Sequence, residues 1–194
     1  MSAALKHPMI GPHTVAEWLA MDNPADGSRL ELILGHLLMT PAPSGPHQRA
    51  TSRLTRWLED VLEADEGHDL YVVPAVNVRI STGWRTAVIP DIAVLNCEPA
   101  DVIFDAENLV LAVEVWSPGN PRDERETKLA GYAGAKVPFV WTVDQGNSLH
   151  GLTLTAFRLQ DGQYTLENKI QADGPATVTA APVPITLDLT RLFR

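Results

Sequence analysis

The sequence predicts an α/β fold of the mixed α+β kind: a mixed β-sheet flanked by helices, with a C-terminal β-hairpin. Three observations predict it. Strand-length apolar runs recur at 70–80 ("LYVVPAVNVRI"), 87–95 ("AVIPDIAVL"), 108–116 ("NLVLAVEVW") and 137–144 ("VPFVWTVD"). Two longer segments between these runs carry helical signals. Asp161-Gly162 separates "LTLTAFRL" from "YTLENKI", which is hairpin spelling. Alternation of helical and strand segments places helices on a sheet.

The elements follow in order. Thr14 and Glu17 stand at capping-box spacing, so a short helix is expected over about 14–21. "NPADGSR" is a turn, and "LELILGHLLM" (30–39) reads as two short strands around Leu34-Gly35. After the loop "TPAPSGP", Pro46 opens a helix to about Ala64 whose apolar stripe is Leu54, Trp57, Leu58, Val61 and Leu62. Three strand candidates come next. "SPGNP" then breaks the chain, and Asn120-Pro121 suits the N-cap and first turn of a helix over about 121–135. The final segment, "TVTAAPVPITLDLTRLF", reads as an edge strand with a closing turn. The whole is expected to be one domain over 1–194: a helix and hairpin at 14–40, a core at about 46–145, and C-terminal strands over 149–194.

Composition excludes several function classes. Apolar content of 45% and charged content of 20% are those of a globular protein, and no run is long enough to span a bilayer. No signal-peptide pattern opens the chain, and the single Cys97 excludes an internal disulfide, so a cytoplasmic location is expected. Cys97 is read as a small packing residue. A net charge of −9 argues against bulk coating of nucleic acid, while leaving it open as a substrate.

Chemistry is suggested by carboxylates inside apolar strands. In 109–116, alternation puts Leu109, Leu111, Val113 and Val115 on one face, and Val110, Ala112, Glu114 and Trp116 on the other. A buried unpaired carboxylate is costly, so Glu114 needs compensation. Asp91, just after Pro90 in an apolar run, is its natural neighbour, and two such groups repel unless a proton or cation lies between them. Oxygen donors of this kind suit Mg²⁺ or Mn²⁺. Glu31 is a third intrastrand carboxylate, read either as a water-facing edge residue or as a site residue.

Pro90-Asp91 followed by a strand bearing Glu114 resembles the PD-(D/E)XK nuclease superfamily, whose lysine would fall at position 116. Trp116 stands there instead. "LELILGHLLMTPAPSGPHQ", "VIPDIAVL" and "LAVEVWSPGNPRDERETKLAGYAGAKVPFVWTVD" together resemble the Uma-type restriction-endonuclease family over roughly 14–145. That resemblance implies a restriction-endonuclease-like fold in a bacterial protein. It also implies a metal-dependent endonuclease acting on nucleic acid, most naturally DNA, and a lysine supplied by the following helix, which matches Lys128. It further implies Asp91, Glu114 and the Val115 carbonyl as metal ligands, and catalytic roles for Lys128 and Glu31. A homodimer is expected by analogy with nucleases that cut both strands as pairs. Geometry tests the migrated lysine independently. Glu114 lies about 10 Å before the strand end, and Lys128 lies about 10.5 Å into the helix, so the two are level if the helix runs back along the strand. The alternative keeps Lys128 solvated and paired with Glu124 at i, i+4.

The sequence departs from the family where the usual Asp-Gly is Leu34-Gly35, where an acidic residue gives way to His36, and where aspartate becomes Glu124. His47 is read as a helix cap or as a phosphate or water ligand. Arg49, Arg53 and Arg56 form a basic helical stripe, which Arg122 and Arg125 extend as candidate phosphate contacts or as solvated charge. The competing function is a catalytically inactive nuclease-like scaffold that binds nucleic acid or a protein partner.

Overall fold

The computed structural model describes residues 11–22, 24–65, 67, 69–117, 119–145 and 152–192. Thr14 caps helix α1 (Val15–Leu19) through a complete capping box with Glu17. Val15 and Trp18 are buried, and the Trp18 indole donates to the Leu30 carbonyl. Strands β1 (Arg29–Ile33) and β2 (His36–Thr40) form the expected hairpin. Its two-residue loop needs positive φ at both positions, observed as 51° at Leu34 and 83° at Gly35. A Cβ at residue 35 would lie 2.9 Å from the Pro12 side chain, so glycine is required there.

Helix α2 (Gly45–Glu63) is capped by Ser44 and buries Leu54, Leu58 and Leu62. The segment 70–80 is two strands, β3 (Tyr71–Pro74) and β4 (Asn77–Ser81). Likewise 87–95 divides into β5 (Thr86–Val88) and β6 (Ile92–Leu95). A short strand β7 (Ile103–Asp105) and one 3-10 turn lead into β8 (Leu109–Trp116). Helix α3 (Arg122–Gly134) links β8 to its parallel neighbour β9 (Phe139–Asp144). The hairpin β10 (Thr153–Gln160) and β11 (Gln163–Gln171) turns at Asp161-Gly162.

Two expectations are corrected here. The last segment holds two strands where one was expected: β12 (Pro175–Val178) and β13 (Ile185–Asp188) make a small antiparallel sheet of their own, and the closing turn follows at Leu189–Arg191. Asn120 is not the N-cap of α3; Pro121 is, while the Asn120 side chain accepts from the Ser117 amide and donates to Glu124.

The strands divide between two main sheets, ordered β2-β1-β5-β4-β7 and β11-β10-β9-β8-β6-β3. The chain passes between them at Ala75 and again at Ile89-Pro90-Asp91. Proline cannot donate to a ladder, which explains the second break. At the first, Ala75 adopts φ of 52°, and its amide donates to the Asp91 carbonyl at 3.2 Å. The two crossings therefore brace each other at the line where the sheets part.

One face of the six-stranded sheet packs Val113, Val115 and Trp141 against Leu54 and Leu58 of α2 and against Ile185 and Leu187 of β13. The other face packs Ala93, Ala112 and Val140 with Tyr132 of α3 and with Val78 and Val88 of the five-stranded sheet. Coverage of both faces explains the continuous apolar runs of β6 and β8. An irregularity opposite Val94-Leu95 moves Leu109 to the Ala112 face, out of simple alternation.

The C-terminal sheet is tied down by polar contacts as well as by its core. Arg158 holds Glu167 through two hydrogen bonds and the Thr179 carbonyl through a third, and the Thr179 hydroxyl also donates to Glu167. The Arg158 hydrogen bonds, with help from Thr179, hold the Glu167 carboxyl down at about 2, against an ordinary 4.5. A depressed acid stabilises the fold above its ordinary value and loses that contribution as pH falls through the folded one. Glu167→Gln should therefore melt below the parent chain at pH 6. The gap should close between about pH 4.5 and pH 2 in a thermal-unfolding series. A gap that stays constant with pH would mean the pair acts through packing alone.

Candidate active site

Five elements converge where the two sheets separate. β1 of the first sheet supplies Arg29 and Glu31, which lie two apart and so on one strand face. The crossing after β5 supplies Asp91, β8 supplies Glu114, α2 supplies His47 and α3 supplies Lys128 and Tyr132. Glu31, Asp91, Glu114, His47 and Lys128 are all buried, as is the whole of Tyr132.

The register explains the pairing of Asp91 with Glu114. β6 and β8 pair antiparallel with Ile92 opposite Val113, so extending the ladder by one step sets Asp91 beside Glu114. Asp91 Oδ2 accepts from the Val115 amide at 2.8 Å and meets His47 Nε2 at 3.1 Å, while Oδ1 accepts from Arg29 at 2.5 Å. Burial alone would raise this carboxyl. The His47 contact, the Val115 amide and the Arg29 charge together outweigh burial and lower it.

Glu114 has a different environment. Its Oε1 lies 2.8 Å from Lys128 Nζ and accepts from the Tyr132 hydroxyl at 2.6 Å. Burial drives the Glu114 carboxyl upward, Lys128 opposes this, and Asp91 and Glu31 reinforce it, leaving the group near 7. Two neighbouring carboxyls are thus pushed in opposite directions, the separation that acid–base and metal sites exploit. Burial raises the Tyr132 hydroxyl too, and Glu114 adds to it, so the phenol stays protonated and donates.

Lys128 is the hub. Its ammonium pairs with Glu31 Oε1 at 3.1 Å as well as with Glu114, and lies 5.6 Å from the Trp116 ring centroid. Burial would strip its proton, but Glu114, Glu31 and Asp91 outweigh that and raise its basicity. The solvated pairing with Glu124 is not what the structure contains. Glu124 instead accepts from Asn120. Trp116, at the position where the short motif has its lysine, packs beneath the lysine that comes from α3.

Glu31 faces inward from an interior strand, so the water-facing alternative is corrected. Its Oε1 also accepts from the Ile89 amide at 2.6 Å, and its buried Oε2 has no hydrogen-bond partner. His47 is not the helix cap either. Ser44 caps α2 by accepting from the His47 amide, which leaves the imidazole on Asp91.

The arginines separate. Arg56 lines a cleft beside the site with Arg29 and His47, whereas Arg49 and Arg53 lie on α2 outside that cleft. Arg122 is exposed and pairs with Glu126 on its own helix. Arg125 is held by Asp144, the Ser117 carbonyl and the Trp116 ring, so it buttresses the end of β8. Sequence reasoning did not assign roles to Arg29 and Tyr132. Their signals were available: Arg29 shares a strand face with Glu31, and Tyr132 follows Lys128 by four residues on one helix face.

The donor chemistry fits a hard divalent cation. Every acidic donor is a carboxylate, and the unpartnered Glu31 Oε2 is a buried acceptor facing no protein donor. Among the described residues no three His, Cys, Asp or Glu side chains already converge as a metal cage. Lys128 supplies the positive charge between Glu31 and Glu114.

A family model described as Uma2, "Putative restriction endonuclease", matches residues 15–190. Among solved structures, a similar chain is described as a "putative nuclease belonging to DUF820" from Anabaena variabilis ATCC 29413. It is 20% identical, with a TM-score of 0.66, and the match covers 94% of this chain and 98% of that one. Likeness at that identity shows a shared fold. None of the curated proteins matches the chain.

Proposed function

The chain belongs to the Uma2 restriction-endonuclease family, and from that premise we propose that it is a metal-dependent endonuclease hydrolysing DNA phosphodiester bonds. The observation that carries the proposal is the buried Lys128 ammonium held 2.8 Å from Glu114, inside a cluster that also contains Glu31 and Asp91. Asp91 and Glu114, with the Val115 carbonyl, would hold Mg²⁺ or Mn²⁺, and Glu31 would add a further ligand to the metal or to water. Such an ion supplies Lewis-acid stabilisation of the phosphate and a more acidic bound water.

The chain's own residues perform the rest. Lys128 places a fixed positive charge where charge builds on the phosphate, in a site that needs no reorganisation to provide it. Tyr132 donates to Glu114 Oε1 and fixes which oxygen is engaged. Arg29 and His47 keep the Asp91 carboxylate ionised and oriented. A cytoplasmic homodimer cutting both strands completes the reading; among the described residues no helix is long and apolar enough to cross a membrane.

One observation favours the inactive scaffold: both Asp91 oxygens are already engaged, and Lys128 already neutralises much of the carboxylate charge. Cleavage of single- and double-stranded DNA and RNA with Mg²⁺ or Mn²⁺ separates the two. The nuclease reading expects metal-dependent cutting that falls roughly 100-fold or more in Glu114→Ala. Equal activity in the two proteins would remove Glu114 from the site. No cutting, together with no heat of metal binding, would leave the scaffold.

A further inference from the structure

The cleft beside the carboxylates has a composition that metal chemistry does not require. It encloses about 350 Å³ and is lined by Arg29, His47, Gln48, Thr51, Ser52, Thr55, Arg56, Glu59 and Pro74. That volume suits a group of nucleotide size. Six of these residues, from Gln48 to Glu59, repeat at three- and four-residue spacing along α2 and form one helical face. The face is hydroxyl-rich and carries one cation, Arg56, with Glu59 at its far end.

Two features point to a ligand. The Thr51 hydroxyl is buried with no hydrogen-bond partner, although the Thr55 hydroxyl beside it is satisfied by the Thr51 carbonyl. Arg56 is exposed and makes no hydrogen bond or ion pair among the described residues. A free guanidinium and an unpaired hydroxyl on one face match the acceptor oxygens of a phosphate.

We propose that this face of α2 is a backbone-binding groove for one nucleic-acid strand, in which Arg56, Thr51 and Ser52 take a phosphate that is not the one being cut. The inference rests on the nuclease reading and extends it by assigning where the strand lies. His47 touches Asp91, and Arg56 follows it by nine residues on the same helix, about 13 Å along the axis. That is the axial length of roughly four nucleotides of one duplex strand. The contacted phosphate is therefore several nucleotides from the reacting one. Glu59, at the far end, repels a further phosphate and bounds the groove.

This assignment divides the arginine stripe. Arg56 is inside the groove, and Arg49 and Arg53 are outside it. It also reconciles a chain of net charge −9 with a nucleic-acid ligand, because one local cation in a lined cleft replaces bulk attraction.

The test is oligonucleotide binding by fluorescence anisotropy in EDTA, from 50 to 200 mM salt, so that cleavage plays no part. Arg56→Ala should weaken binding about 5- to 10-fold and reduce the salt slope by about one. Thr51→Val, nearly isosteric, should weaken binding about 3-fold without changing the slope. Lys169→Ala removes the same charge from exposed β11 and should leave both quantities unchanged. Equal effects of Arg56→Ala and Lys169→Ala, or no binding by the parent chain at low salt, would overturn the groove. Full competition by millimolar inorganic phosphate would reassign it to free phosphate and overturn the strand. Arg56-dependent binding without any metal-dependent cleavage would keep the groove and sink the nuclease reading instead.

Discussion

The Lys128→Met protein should unfold roughly 6–20 °C below the parent chain. Methionine preserves the length and volume of the buried stem and removes only the ammonium. What remains is a cluster of acidic groups in which Glu31 and Glu114 have lost the charge 3.1 and 2.8 Å away. Breaking a buried pair by deleting one partner costs about 3–5 kcal/mol, because the other charge is left uncompensated. In a chain of this size each kcal/mol moves the midpoint by about 2–4 °C. Adding Glu31→Gln should recover at least half of the loss, since glutamine still accepts from the Ile89 amide but carries no charge. A single variant within about 1 kcal/mol of the parent would show that the carboxyls are not ionised around the lysine.

Glu114→Gln should have the opposite effect on stability. The carboxyl sits near 7 in the folded chain against an ordinary 4.5, so the folded state holds its proton more tightly than the unfolded state. Stability then falls as pH rises from about 4.5 to about 7 and is level above that. Glutamine removes this penalty while still accepting from Tyr132. In EDTA at pH 8 the variant should gain about 1–3 kcal/mol, and the downward slope of stability should flatten. A lower midpoint at pH 8 would contradict the raised carboxyl. If Glu114 is also needed for cleavage, the same change yields a more stable and inactive protein, the trade-off expected of a charge retained for function.

Much of this architecture was readable from spelling. The capping box at Thr14 and Glu17 gave α1 its start, and the Asp161-Gly162 pair located the β10–β11 turn. Glu114 stood out because its strand is otherwise apolar, and helix arithmetic set Lys128 level with it. The division into two sheets was not readable. "LYVVPAVNVRI" reads as one strand-length run, and Pro74, just before its break at Ala75, does not reveal that the chain changes sheets there. That left-handed residue is held by a hydrogen bond to Asp91, a tertiary contact with no local signal. Pro90 did signal its own break, but a proline at a strand edge looks the same as one between sheets. Likewise Glu31 alternates like an edge residue until its strand is known to be interior. Role assignment for Arg29 depended on that same knowledge.

The site's partners are far apart along the chain. Arg29 and Asp91 are 62 residues apart, and Glu31 and Lys128 are 97 apart. Closing such loops is entropically slow, and contacts of this kind form after local helices and hairpins. During synthesis, Asp91 and Glu114 emerge before the lysine and tyrosine that complete the cluster. A nascent chain halted before α3 therefore lacks the ammonium that pairs with Glu31 and Glu114, although Arg29 is already present for Asp91. The cluster is complete only when α3 has packed and β9 has paired with β8, the last step of the βαβ unit.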